Sequence, residues 1–154
     1  MTDGADPLES RLRRVAGAPV LVDADEFARV LEGWTELDAI DEVCGALLMV
    51  RVGSDQPAEA VAAAIAAAPR SVDLIGPADP GIAGVLIDAT APEVDACARS
   101  VHRDLSAHFV EPVWVANLMV RGLSAAAAIE QGRLLLRAAQ GRPEGGVLAL
   151  DETA

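Results

Sequence analysis

The chain has 154 residues, of which 52% are hydrophobic and 23% charged, a size and composition that give one domain with its own core and exclude a disordered chain. The formal net charge is -12, and all twelve basic residues are arginine. An acidic field opposes phosphate backbones and anionic lipid surfaces, and a chain without lysine has no Schiff-base chemistry.

The opening MTDGADPLES carries neither the basic stretch nor the apolar core of a secretory leader, and residues 1–15 are expected to form a loose N-terminus. No run reaches the ~18 apolar residues of a membrane span. The expectation is a cytoplasmic protein that contacts no membrane and no nucleic acid. Val20 to Val22 reads as a short strand, and Asp23-Ala-Asp25-Glu26 opens a helix. Phe27, Val30, Leu31 and Trp34 follow at i, i+3, i+4 and i+7, one face of that helix, with Gly33 weakening it and a second turn over 35–43. GALLMVRV (45–52) is an apolar run of strand length, suited to a sheet covered on both faces.

Asp55 and Pro57 start an alanine-rich helix that stops at Pro69. SVDLIG (71–76) reads as a strand, GPADPG as a turn, and GVLIDA (84–89) as the next strand. Thr90-Ala-Pro-Glu93 has the spacing of a capping box with proline just inside the helix. Val94, Cys97, Val101, Leu105 and His108 share a face of that helix. PVWVANLMV (112–120) is apolar on both faces except at Asn117, Ser124 caps a last helix ending near Gly141, and VLAL (147–150) adds an edge strand within a tail, 142–154. Trp34, Phe109 and Trp114 are expected in the core, Trp114 on a central strand.

This alternation predicts a single α/β domain over 1–154 with a mostly parallel or mixed sheet. Leu48-Met49-Val50-Arg51 recurs as Leu118-Met119-Val120-Arg121, and VLVDAD as VLIDAT. The recurrence suggests an internal duplication of a β-α-β-α unit, over about 19–68 and 84–139.

Chemistry-bearing residues are few. Cys44 and Cys97 lie in no CxxC pattern and read as small buried hydrophobes. His102 and His108 have no helix partner at metal-ligand spacing, so neither a metal site nor a cofactor is expected. Arg51-Val-Gly53-Ser54 and Arg121-Gly122-Leu-Ser124 each set an arginine at a strand end, then a glycine, then a helix N-terminus. That combination is a candidate anion site for a phosphate-bearing small molecule, CoA being the first to test.

VLVDADEF (20–27) resembles the first motif of the haloacid dehalogenase phosphatases. The resemblance implies Asp23 as nucleophile, Asp25 as general acid and base beside magnesium, and Thr90 in the second motif. That family needs a lysine, which this chain lacks. Helix capping by Asp23, with Glu26 at the third helical position, accounts for the same residues without chemistry.

The stretches DPGIAGVLIDA (79–89) and PVWVANLMVRGLSAAAAIEQG (112–132), with the helix between them, are similar in part to the crotonase superfamily of enoyl-CoA hydratases and isomerases. The resemblance implies a helix N-terminus that polarises a CoA thioester carbonyl. RGLSA stands where consecutive glycines belong, so Gly122 alone carries over, and the loop for the second oxyanion donor is missing. The implied protein is a degenerate, crotonase-like accessory subunit. The reading is therefore a binding or accessory protein without a complete catalytic set, with a protein partner or a homo-oligomer. The alternative is an enzyme, either acting on a CoA thioester through backbone donors or an Asp-x-Asp magnesium phosphatase.

Overall fold

The apolar run at 45–52 lies inside the sheet. β2 (Cys44–Val52) is hydrogen-bonded along both edges, antiparallel to β4 (Ile82–Ala89) on one side and to β5 (Val113–Met119) on the other. Leu48, Val50 and Val52 point to one face, Leu47 and Met49 to the other, and all five are buried. A strand covered on both faces has no reason to alternate polar and apolar residues, and this one does not.

The structure is a computed structural model, and it describes residues 20–36, 44–53, 55–67, 72, 74–120 and 123–149. Its remaining elements are β1 (Val20–Leu21), α1 (Ala24–Glu36), α2 (Ala58–Ala66), β3 (Leu74–Asp79), α3 (Ala91–His108), α4 (Ala125–Ala139) and β6 (Gly146–Ala149). The strand order is β1-β3-β4-β2-β5-β6, a six-stranded mixed sheet in an α/β fold. β1 runs parallel to β3 and β6 parallel to β5, while every other pairing is antiparallel. No helix among the described residues is long and apolar enough to cross a membrane.

Helices cover both faces. α2 (through Val61, Ala62 and Ile65) and α3 (through Val94, Ala98, Val101 and Leu105) pack on the face of Leu48 and Val50. α1 (through Phe27, Val30 and Leu31) and α4 (through Ala128, Leu135, Leu136 and Ala139) pack on the face of Leu47 and Met49. The spacing of each set is the helical one, so the cores follow from the sequence periodicity.

Several details differ from the sequence reading. The segment GPADPG is mostly strand: β3 continues to Asp79 with an irregularity between Pro77 and Asp79, and the turn is only Pro80 and Gly81. Gly81 sits at φ +75, the backbone region that lets so short a hairpin close. On α3 the buried partner is Ala98, Cys97 is partly covered and His108 is exposed. Trp114 is 8% exposed and Phe109 half-buried, while the side chain of Trp34 and the turn over 37–43 lie outside the described residues.

The suggested duplication has no counterpart in how the strands face. Leu48 points toward α2 and α3, whereas Leu118 points toward α1 and α4. β2 and β5 are antiparallel neighbours in which Leu47 pairs with Leu118. The internal likeness of the fold is between β2-α2-β3 and β4-α3-β5, two β-α-β units each split by a strand of the other, as in ferredoxin-like domains.

Candidate functional site

Asp23 ends β1 and begins α1, and its side chain is already committed. The backbone N–H of Glu26 donates to Asp23 Oδ1 at 2.9 Å, and that of Phe27 donates to the Asp23 carbonyl at 3.0 Å. Glu26 pairs with Arg29, so it does not close the reciprocal half of a capping box. Asp25 is exposed on the first turn. At the second site the box is complete: the Glu93 backbone N–H donates to the Thr90 side chain, and the Thr90 N–H donates back to Glu93 Oε1 at 3.0 Å, an oxygen that also accepts from the Thr90 hydroxyl at 2.8 Å.

These residues do not meet. The β1 register, with Leu21 beside Ile75, carries Asp23 toward the Pro77–Ala83 end of the β3–β4 pair. Thr90 follows the other end of β4, seven residues past Ala83, or roughly 20 Å at about 3.3 Å per strand residue. The phosphatase arrangement of Asp23, Asp25 and Thr90 is therefore not assembled. As a cap, Asp23→Ala should cost about 0.5–2 kcal/mol in chemical denaturation and Asp23→Asn almost nothing. Equal losses for both would mean that the charge, and not the cap bond, matters.

The strand ends that lead into the two arginine-glycine segments are also apart. Val52, ahead of the first, pairs with Val113, whereas Met119, ahead of the second, pairs with Ala46 at the far end of the same two strands. Arg51 donates from Nε to the Gly53 carbonyl at 3.3 Å, and among the described residues no carboxylate pairs with it. The Gly53 N–H donates to the Pro112 carbonyl at 2.9 Å. Nearby, Gln56 Nε2 donates to Glu111 Oε2 at 2.9 Å, which holds the Glu111 carboxyl below its ordinary range. Ser124 Oγ accepts from the Ala127 N–H at 3.1 Å and so caps α4. Ser54, Arg121 and Gly122 lie outside the described residues.

Sequence reasoning missed an open cleft of about 620 Å³ between α1 and α4 over β3. Phe27, Ala28 and Leu31 form one wall and Ala78 part of the floor. The α4 wall is Ala125, Ala126, Ala127 and Ile129, with Glu130 and Arg133 at its polar end. Arg133 donates to Asp79 with a two-pronged pair, Nε to Oδ2 at 2.7 Å and Nη2 to Oδ1 at 2.9 Å, and from Nη1 to Glu130 at 3.0 Å. Hydrogen bonding to Asp79 first, and the charge of that carboxylate next, hold the guanidinium proton more tightly than usual. Glu130 and Arg133 are readable as a helical i,i+3 pair. Asp79, 54 residues before Arg133, is not.

Histidine offers less. His102 Nε2 is buried without a hydrogen-bond partner, and exposed His108 meets the ring of Phe109 edge-on at 4.8 Å. Among the described residues, no group of three or more histidine, cysteine, aspartate or glutamate side chains is placed to hold a metal ion.

No family model and no curated protein matches the chain. Among solved structures, it is similar to the apo S helix-GGDEF-EAL structure of LapD from Vibrio cholerae, with a TM-score of 0.59 at 13% identity. The match covers 94% of this chain and 40% of that one. At this identity the likeness is one of fold. No Gly-Gly-Asp-Glu-Phe run occurs in the present sequence, so it is not carried by that motif.

Proposed function

We propose that this domain works by binding and not by turnover, as an accessory domain. One observation carries the reading: Asp23 and Thr90 stand toward opposite ends of β4 and serve as helix caps, whereas the α1–α4 cleft is walled mainly by alanine, phenylalanine, leucine and isoleucine, with Glu130 and Arg133 at one end. Catalysis needs its groups held together within hydrogen-bond reach of one reacting centre. Recognition of an apolar surface needs no such convergence. A likeness that spans 40% of a longer chain fits a unit that operates beside other segments.

A phosphate-bearing ligand such as CoA belongs to the same reading through Arg51, which no described carboxylate neutralises. Arg99, by contrast, pairs with Asp95 at 2.9 Å on an exposed face of α3. Calorimetric titration with CoA should show Arg51→Ala weakening binding by about tenfold, the worth of one charged hydrogen bond, and Arg99→Ala leaving it unchanged. Arg121→Ala tests the second segment in the same way. Assays with a magnesium-dependent phosphatase substrate and with an enoyl-CoA should show no turnover. Phosphatase activity that Asp23→Asn abolishes without lowering the melting temperature would overturn the binding reading. The crotonase-like enzyme reading would return on enoyl-CoA hydration by the purified protein.

A further inference from the structure

The arginines of the described residues divide into two groups. Arg29, Arg99, Arg103 and Arg133 each meet a carboxylate, the ordinary outcome in a chain with 24 acidic residues and 12 basic ones. Arg51, Arg137 and Arg142 meet none among the described residues, and they gather at one end of the sheet. Trp114 is the register partner of Arg51 on β2 and of Gly146 on β6, so the three form one row across the strands. Partners in a row send their side chains to the same face, and the face of Trp114 is the one that α4 covers.

Gly146 has no side chain to place in that row, and Arg142 takes the space. Its Nη1 and Cδ lie 3.3 and 3.4 Å from where a Cβ of Gly146 would stand. The indole holds the turn in place by donating to the Arg142 carbonyl at 2.8 Å. Two guanidinium groups thus flank one indole, on strands two spacings or about 10 Å apart. Arg137 joins them from above. α4 runs back along β5 to its Val113 end, where Gly145 packs, and Gly132 lies over Met49 on the way. Two further residues of β2 and about four of α4 cover the same roughly 6 Å, which brings Arg137 near the level of Arg51.

The negative end of the α4 dipole accounts for Arg137 and Arg142. It does not account for Arg51, which comes from a strand, is half-buried and spends only Nε on the Gly53 carbonyl. Its two Nη groups have no partner among the described residues. Carboxylates stand nearby without neutralising the pair: exposed Glu144 shares the turn with Arg142 and forms no ion pair with it, and Glu111, against Gly53, is tied to Gln56. We propose that Arg51 and Arg142 together bind a small molecule bearing two phosphate groups, a diphosphate or a bisphosphate, laid across the Trp114 row. A guanidinium is a fork that meets phosphate oxygens in pairs. Two forks on separate strands suit two linked phosphates, since a single phosphate held by one arginine leaves the other uncompensated. The proposal rests on the binding reading of Arg51, adds Arg142 as the second half of the site and narrows the ligand class, to which CoA belongs through its diphosphate.

The probes are inorganic diphosphate, inorganic phosphate and CoA, titrated calorimetrically into the full chain at about 0.1 M salt, where charges beyond roughly 10 Å are screened. Diphosphate and CoA should bind at least about tenfold more tightly than phosphate. Arg142→Gln should weaken diphosphate by about tenfold and so remove its advantage over phosphate. Arg142→Lys should retain part of the affinity, because the charge stays and the fork is lost. Arg99→Gln, on the opposite face of the sheet, should change nothing. Circular dichroism and melting of each variant establish that the fold is retained, and the backbone carbonyl that holds Trp114 is the same in all of them.

Equal affinity for phosphate and diphosphate, or equal weakening by Arg99→Gln, would overturn the proposal. CoA binding that Arg51→Ala abolishes and Arg142→Gln leaves untouched would overturn it alone, with the Arg51 reading still standing. Absent binding of all three probes would overturn both.

Discussion

Replacing Trp114 by alanine is expected to cost about 3–5 kcal/mol. Trp114 is 8% exposed on β5, pairs across the ladder with Arg51 and Gly146, and packs in the cluster of Leu118 and Leu136. The indole also ties down the turn after α4, since Nε1–H donates to the Arg142 carbonyl at 2.8 Å. Truncation therefore opens a cavity against α4 and frees the turn that delivers β6. Trp114→Phe keeps most of the apolar area and loses only the hydrogen bond, so its cost should be about 1 kcal/mol. Denaturant titration followed by circular dichroism separates the two, and a Trp114→Ala midpoint near that of the wild type would mean that β5 contributes little to the core.

The second large effect concerns a glycine seat. Gly76 on β3 and Gly84 on β4 are register partners, and the ring of Phe27 lies over both. A Cβ at Gly84 would stand 2.4 Å from Phe27 Cζ and 2.9 Å from the Ala78 Cβ. Valine there must displace a fully buried ring, and Gly84→Val is expected to destabilise by about 3 kcal/mol, at the upper end of overpacking costs. The mechanism is testable by a double-mutant cycle. In a Phe27→Ala background the added methyl groups enter the vacated space, so the cost of Gly84→Val should shrink, with a coupling of about 1–3 kcal/mol. Simple additivity would place the strain in the backbone and not in the ring.

Much of the scaffold was legible from residues alone. The apolar run at 45–52, the periodicity of Phe27, Val30 and Leu31, and the caps at Asp23, Thr90 and Ser124 are local signals, each set by neighbours within a few positions. The α/β class follows from their alternation. What was not legible depends on distant pairings. Gly76 and Gly84 read as residues at the ends of two strands flanking a turn, yet they are register partners inside the ladder, where the lack of a Cβ makes room for a ring that comes from 49 and 57 positions earlier by their numbering. The cleft is invisible for the same reason, because its ion pair joins α4 to the β3 end. The Leu-Met-Val-Arg recurrence misleads because an apolar strand written in few residue types repeats itself without repeating its facing.

The interleaving of the two split units makes the domain indivisible. β2 and β3 belong to the first part of the chain but are never neighbours, because β4 lies between them. A fragment ending at Asp79 would keep one ladder only, the two-residue pairing of β1 with β3. β4 and β5, in the other fragment, would lack the strand that joins them. Each half is thus the filling of the other, and a break in the Pro80–Gly81 turn would yield two pieces that regain a sheet only by meeting.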